Sequence, residues 1–363
     1  IQMPRLQRDP QRVTIREIAR TCGVSVQTVS RVINRRPDVS PETRAAVEAA
    51  IAAVGFQPSA VARSLVQQRS YTLGVIAAGL RYFGVAQTLN GITEESEASG
   101  YALLLKEIPG SGEVDVLPVI DFLMAHRVEG IIFASPQLEL NVRHAQEQLP
   151  PSCPPIVFLK ADPSPSFTTI GIDNREGGRL ATEHLVALGR RRIGHLAGPL
   201  EWKEARDRRD GWLEALEAAA LDPGPLASGN WSSESGVRAF QEILEADQAI
   251  DALFVANDQM ALGALHVAFM RGIRIPEDLA VVGFDGLPEA AEFNPSLTTI
   301  RQPLRELGRL AVDELIARIE DRPGHPAGAV LALPTELIVR DSAPRPEADP
   351  GQVAEVAGKL VEV

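Results

Sequence analysis

From Thr72 to Asp285 the sequence alternates short apolar runs with amphipathic stretches, and this alternation restricts the fold more than any other feature. The runs are TLGVIAA (72–78), YALLL (101–105), GIIFA (130–134), IVFL (156–159), RIGHLAG (192–198), ALFVA (252–256) and LAVVGFD (279–285). Each is short for a helix and has the near-continuous hydrophobicity of a strand buried on both faces. Between them lie segments such as REGGRLATEHLVALG (175–189), ARDRRDGWLEALEAAAL (205–221) and QMALGALHVAFMRG (259–272), which read as amphipathic helices. Strands that alternate with helices are joined by crossovers, so they form parallel sheets in βαβ units. The number of runs exceeds one comfortable sheet, which predicts two similar lobes. No period of 20–50 residues recurs, which excludes a solenoid.

Several functions fall away on the same reading. GLRYFG (79–84) and GPLEWK (198–203) lack the glycine spacing of a nucleotide-phosphate loop. There is no GxSxG and no HExxH, and the six histidines are scattered. Cys22 and Cys153 form no CxxC pair, so the chain suits a reducing compartment and implies no metal and no cofactor. No apolar run reaches about 18 residues and no signal-type apolar region opens the chain. The expectation is a soluble cytoplasmic protein with no membrane partner.

Ligands of open α/β sheets bind beyond the carboxyl ends of the strands. Asn257 and Asp258 follow ALFVA, Asp285 closes LAVVGFD, Arg208 lies in the helical segment after HLAGPL, and Trp231 falls in GNWSSESG. An amide, a carboxylate and a guanidinium can hold the vicinal hydroxyls of a sugar while an indole covers its apolar face. Each also has a structural alternative. Asn257 or Asp258 can cap the helix that follows, Asp285 can stabilise the turn before Pro288, Arg208 can join a surface ion-pair cluster with Glu204 and Asp207, and Trp231 can be core.

The first 70 residues have a different character. Eleven arginines against five acids leave them at +6, so a chain total of −12 puts −18 on residues 71–363. A basic head on an acidic body suggests a polyanion-binding module joined to a part with another task. In TIREIART, Thr14 is a plausible N-cap with Glu17 completing a capping box. A glycine turn (CGV) follows, and Ser25 caps a second helix running through Asn34. SPETRAAVEAAIAAVG opens a third, with Ser40 as cap, Pro41 at its first position and Gly55 beyond its end. Three short helices with a tight turn between the first two read as a helix-turn-helix.

In the second helix Val26, Val29, Val32 and Ile33 form an apolar stripe, and Gln27, Ser30 and Arg31 form a polar one. The polar stripe suits a DNA major groove: Gln27 matches adenine, Arg31 matches guanine, and Val26 can touch a thymine methyl. Thr14, Ser25, Thr28, Ser30, Asn34, Ser40 and Thr43 are short hydrogen-bonding residues near helix starts, suited to phosphate oxygens.

The stretch VTIREIARTCGVSVQTVSRVINRRPDVSPETRAAVEAAIAAVGFQPSAVARSLV resembles the DNA-binding head of the lactose/galactose repressor family. The likeness extends to about Arg340 through HLVALG, HLAGPL, NW before a serine, VANDQMALGAL and LTTIRQP. It implies a helix-turn-helix domain over 13–57, a hinge helix and linker over 58–70, and a two-lobed, periplasmic-binding-protein-like body over 71–342. A flexible tail over 343–363 completes this division. In the hinge, Ala62 and Leu65 would enter the minor groove of a bent operator. Arg208, Trp231, Asn257 and Asp285 match the family's effector contacts, and Tyr82, Val85, Gln302 and Leu304 match weaker pocket positions. Two positions depart from the pattern: Lys160 stands where an acidic sugar contact would match, and Glu204 where a small hydroxyl residue would. Lys160 leaves two readings open, an acidic or phosphorylated sugar or a side chain turned to solvent.

The resemblance implies a repressor that binds double-stranded operator DNA as a homodimer and answers to a small-molecule effector. Release by a sugar is the default sign, and a co-repressor would invert it. Val353, Val356, Leu360 and Val363 follow 3–4 spacing in the tail, where a relative carries a tetramerising segment; two heptads do not establish a coiled coil, and a frayed tail is the alternative. The rival is a sugar-binding protein or an enzyme on the same frame. Asp285 with Lys160 is the acid–base pair such an enzyme would offer.

Overall fold

The computed structural model describes residues 14–33, 36–56, 69–109, 115–134, 149–161, 165–326 and 328–345. The chain divides into two compact units, residues 1–70 and 71–363.

The first unit contains α1 (Ile15–Thr21), α2 (Val26–Ile33) and α3 (Pro41–Val54). Local chemistry sets their ends. Glu17 accepts from the backbone N–H of Thr14 at 2.6 Å and from its hydroxyl at 3.1 Å, which closes the capping box on α1. Gly23 turns the chain into α2 with φ 63°, a left-handed conformation that costs glycine little. Ser25 Oγ accepts from the Thr28 N–H at 3.0 Å, and Ser40 Oγ caps α3 through the Thr43 N–H at 3.3 Å. Ile18, Ala19, Val29, Val32 and Val47 form the core of this small bundle. Val26 is a correction to the apolar stripe: it is 41% exposed, on the side of α2 turned away from that core.

The second unit holds two six-stranded sheets. The strands of the first are β1 (Thr72–Ala78), β2 (Ala102–Ile108), β3 (Gly130–Ala134), β4 (Ile156–Leu159), β5 (Thr168–Ile172) and β11 (Val330–Leu333), in the order β11-β5-β4-β3-β1-β2 and all parallel. Those of the second are β6 (Ile193–Ala197), β7 (Leu226–Ser228), β8 (Ala252–Val255), β9 (Ala280–Asp285), β10 (Thr298–Arg301) and β12 (Glu336–Ile338), in the order β12-β10-β9-β8-β6-β7. Only β12 runs antiparallel to its neighbour there. The central strands β1, β3, β4, β6, β8 and β9 are buried almost throughout, as continuous apolar runs require.

Helices cover both sheets: α4 (Phe83–Ala98), α5 (Leu117–Ala125), α6 (Asn174–Ala187), α7 (Lys203–Ala218), α8 (Ser233–Ala246), α9 (Asp258–Arg271) and α10 (Leu304–Ile319). The chain passes between lobes three times. β5 of the first sheet leads to α6, whose Ala181 and Leu185 lie in the core of the second lobe with Trp212 and Phe254. β10 of the second sheet leads through Gln302 and Pro303 to α10, whose Leu307, Ala311 and Leu315 lie in the core of the first with Leu73 and Val157. β11 of the first sheet then leads to β12 of the second.

Paired glycines let the helices approach closely. A Cβ on Gly91 would lie 2.0 Å from the Arg305 carbonyl oxygen, and one on Gly308 would lie 2.2 Å from that of Thr88, so α4 and α10 meet backbone to backbone. Gly178 against Arg208 and Gly211 against Arg175, at 2.2 and 2.0 Å, repeat the device between α6 and α7 in the second lobe.

Candidate nucleic-acid interface and ligand cleft

On α2 the side chains of Val26, Gln27 and Arg31 are exposed while Val29 and Val32 are buried. The helix therefore presents a guanidinium, a carboxamide and an apolar contact on a surface that its own core does not need. Arg31 Nη1 lies 3.5 Å from Asp38 in an exposed pair, which costs little to open. The hydroxyls of Thr14, Ser25, Ser40 and Thr43 all sit at helix starts and take part in capping bonds. Thr28 and Ser30 are half-buried. Asn34, Ala62 and Leu65 lie outside the described residues, as do most of the 58–70 hinge and the tail from Pro346 onward.

In the body, Tyr82, Val85, Lys160, Arg208, Trp231, Asn257, Asp285 and Gln302 line one cavity of about 530 Å3. They arrive from different elements. Tyr82 and Val85 lie at the start of α4, Lys160 follows β4, Arg208 projects from α7, Trp231 precedes α8, Asn257 follows β8, Asp285 ends β9, and Gln302 sits on a crossover. Leu304 does not join them; it is buried in the first lobe's core, in one cluster with Leu73, Leu159 and Leu307.

Arg208 is buried and multiply held, which sets aside the surface-cluster alternative. Its Nε donates to Asn174 Oδ1 at 2.8 Å, Nη1 donates to the Ala256 carbonyl at 2.5 Å, and the same nitrogen lies 3.4 Å from Asp285 Oδ1. The guanidinium also stacks over Phe284, 3.8 Å from the ring centroid. Gln302 Nε2 donates to Asp285 Oδ1 at 2.6 Å. Desolvation pulls Arg208 below the usual guanidinium range, opposed first by Asp285. Desolvation likewise pushes Asp285 above the usual carboxylate range, opposed first by Arg208. Asn174 begins α6 directly after one crossover and Gln302 lies in another, so this charged array is bonded to two of the three interlobe connections.

Asn257 does cap α9: its Oδ1 accepts from the Met260 N–H at 3.0 Å. Asp258 is buried and is not among the residues lining the cavity; it accepts from the Thr299 hydroxyl at 2.6 Å and the Leu287 N–H at 2.7 Å. Burial first, and Asp285 second, raise its carboxyl to about 8. Trp231 serves both readings, because it packs in the second lobe's core and lines the cavity. Lys160 does not turn freely to solvent; its Nζ lies 3.6 Å from Glu204 Oε1.

The sequence reading missed other lining residues. Trp202 packs edge-on to Tyr82 with centroids 5.2 Å apart and tilts against Trp231 at 5.7 Å, so three aromatics follow one another along the wall. Arg81, Phe83, Asn230, Ser232, Ser233, Gln259 and Leu262 also line it. The signal was present in GLRYFG and GPLEWK, two glycine-bearing loops that directly follow strands and contain aromatics.

A helix-turn-helix head with a polar outer edge, followed by two βα lobes around a polar and aromatic cleft, defines an effector-responsive DNA-binding regulator. Residues 14–59 match the model of the bacterial regulatory proteins, lacI family, and residues 182–343 match a periplasmic binding protein-like domain. The chain is 33% identical over 354 residues to the lactose operon repressor of Escherichia coli (strain K12), covering 97% of this chain and 96% of that one. It is 35% identical over 312 residues to the HTH-type transcriptional repressor PurR of Edwardsiella ictaluri (strain 93-146), covering 85% and 91%. The crystal structure of the lac repressor dimer bound to operator and the anti-inducer ONPF superposes with a TM-score of 0.83 at 33% identity, covering 92% of this chain and 99% of that one. The chain belongs to the lacI family of bacterial regulatory proteins.

Proposed function

We propose that this chain is a transcriptional repressor that reads a near-palindromic operator as a homodimer and is released from it by a sugar-type effector. The observation that carries the reading is the outer face of α2, where Gln27 and Arg31 are exposed above a core that uses Val29 and Val32. Each copy would place that face in the major groove of one half-site. Gln27, Arg31 and Val26 would meet bases, with Thr14, Ser25, Thr28, Ser30, Asn34, Ser40 and Thr43 on phosphates and Ala62 and Leu65 in the minor groove. Leu262, Phe269 and Met270, on α9 and exposed by 44%, 78% and 69%, offer an apolar surface for the second copy. The similar lac repressor structure is a dimer bound to operator.

A sugar is the effector that best suits the cleft. The Arg208–Asp285–Gln302 array supplies donors and acceptors for hydroxyls, and Tyr82, Trp202 and Trp231 supply apolar faces. The same array is bonded beside two crossovers, so an occupant would favour one arrangement of the lobes over another, which is what release requires. With the repressor PurR also among the similar proteins, co-repression, the opposite sign, is the second reading. The same bonds support a reading of binding without turnover. Asp285 Oδ1 is taken by Gln302 and Arg208, and Lys160, its nominated acid–base partner, faces Glu204. No described helix is long and apolar enough to cross a membrane; a repressor of genomic operators would act in the cytoplasm.

The test is selection of genomic duplex fragments on the full chain, followed by footprinting across a salt series and a sugar panel. A near-palindromic site should emerge, its affinity should fall steeply with salt, and one sugar should release it. Failure to select any duplex, or an affinity indifferent to salt, overturns the reading.

A further inference from the structure

Lys160 and Glu204 belong to different lobes. Lys160 follows β4 in the first and holds a left-handed backbone with φ 57°, and Glu204 lies in the first turn of α7 in the second. Their charged ends stand 3.6 Å apart, with most of each side chain buried, and both residues line the cavity. Glu204 Oε2 is buried and has no hydrogen-bond partner among the described residues. The cavity's other cations have neighbours already. Arg208 is shared between Asp285, Asn174 and the Ala256 carbonyl, and Arg81 donates to the Tyr82 hydroxyl at 2.7 Å from an exposed position.

We infer that Glu204 is a specificity-determining acceptor for a ligand hydroxyl, with Lys160 as its counter-charge across the cleft, and that the pair selects neutral polyhydroxylated ligands over phosphorylated or carboxylated ones. The inference rests on the reading of the cleft as a sugar-effector site. A buried carboxylate oxygen without a donor is costly. A neutral hydroxyl entering the cavity beside Glu204 donates to its carboxylate in a charge-assisted bond. A phosphate or carboxylate in the same place supplies none, and its charge faces the Glu204 carboxylate in a medium that screens poorly. Lys160 cannot compensate, because Glu204 already neutralises it. The two departures from the family pattern therefore form one pair across the cleft. An acidic effector, which Lys160 taken singly would suggest, loses its basis once Glu204 stands beside it.

The experiment is calorimetric titration of the full chain with glucose, galactose, ribose and cellobiose, and with glucose 6-phosphate, ribose 5-phosphate and galacturonate. The wild-type chain should bind a neutral sugar at least about tenfold more tightly than its anionic counterpart. Glu204→Gln should weaken the neutral sugar by about ten- to a hundredfold and narrow or reverse the preference, because Lys160 is left without its counter-charge. If that variant folds poorly, the neutral Lys160→Gln/Glu204→Gln double variant carries the test, and its discrimination against anions should be lost. A wild-type preference for the phosphorylated or carboxylated probe overturns the inference and leaves the sugar-effector reading standing. An unchanged ratio after removal of the Glu204 charge does the same. Absence of binding by every probe, with no release from operator, overturns the sugar-effector reading and this inference with it.

Discussion

The side-chain amide of Asn257 donates to the backbone carbonyl of Trp231 at 3.0 Å, and Trp231 holds a left-handed backbone with φ 74°. The same amide nitrogen donates to Gln259 Oε1 at 2.6 Å while the amide oxygen caps α9. Asn257 is thus largely committed to the scaffold, and its contribution to the cleft is to fix the indole. Asn257→Ala should destabilise the body by about 1–3 kcal/mol through the lost cap and the orphaned carbonyl. Sugar binding should weaken and operator binding should survive. Urea denaturation with parallel sugar and duplex titrations would check this, and a variant that kept full sugar affinity would contradict it.

Arg208 and Asp285 form a buried pair, and removing one partner leaves the other uncompensated. Arg208→Ala should cost about 3–5 kcal/mol and abolish the response to sugar. Adding Asp285→Asn should recover part of that loss. A double-mutant cycle on urea stability measures the coupling; strictly additive losses would mean that the pair does not act as a unit.

Asp258 makes stability depend on pH. Its carboxyl lies at about 8 in the folded chain, against about 3.9 when unfolded. Between these values the folded state keeps a proton that the unfolded state has released. Stability should therefore fall as pH rises through that window, by up to about 1.4 kcal/mol per unit, and level off above it. Asp258→Asn should remove most of this slope. Urea midpoints at several pH values decide the matter, and identical slopes in the two proteins would refute the assignment.

The glycines between paired helices admit no side chain. Gly178→Ala places a Cβ 2.2 Å from the Arg208 carbonyl oxygen, and Gly91→Ala places one 2.0 Å from that of Arg305. Each should destabilise by about 1–3 kcal/mol or more, because rigid backbone must yield. Gly171→Ala, where a Cβ meets nothing within 4 Å, is the control. Thermal unfolding of the three variants should separate the pair from the control.

Arg31 reads as the sequence-specific contact, so Arg31→Ala should cost about 1–3 kcal/mol against the preferred operator and relax selection at one base position. Asp38→Asn frees Arg31 from an exposed pair and should raise affinity slightly, within about 1 kcal/mol. Binding to a set of single-base operator variants checks both. Uniform loss across all variants would make Arg31 a phosphate contact instead.

Much of the scaffold was legible along the chain. TLGVIAA, GIIFA and IVFL coincide with β1, β3 and β4, and the caps at Thr14, Ser25 and Ser40 open the helices read from them. The strands that escaped reading were TTIGI and TTIR, which bury threonines, and the short β7, β11 and β12. Threonine at buried positions breaks the apolar run on which strand reading depends. Val26 escaped for a related reason: periodicity places it near Val29, but a residue in the first turn of an eight-residue helix lies beyond its neighbours' cover.

The sequence by itself determined the helices of the head, the buried apolar strands and the division of charge between head and body, because caps, turns and periodicity act over a few residues. Tertiary structure decided which side chains meet. Lys160 and Glu204 lie 44 residues apart and in different lobes, yet only their juxtaposition turns two unmatched charges into one pair. Arg208 and Asp285 likewise acquire their perturbed protonation from burial that no local pattern encodes. Electrostatic energy depends on distance and on the surrounding medium, and both are properties of the folded chain.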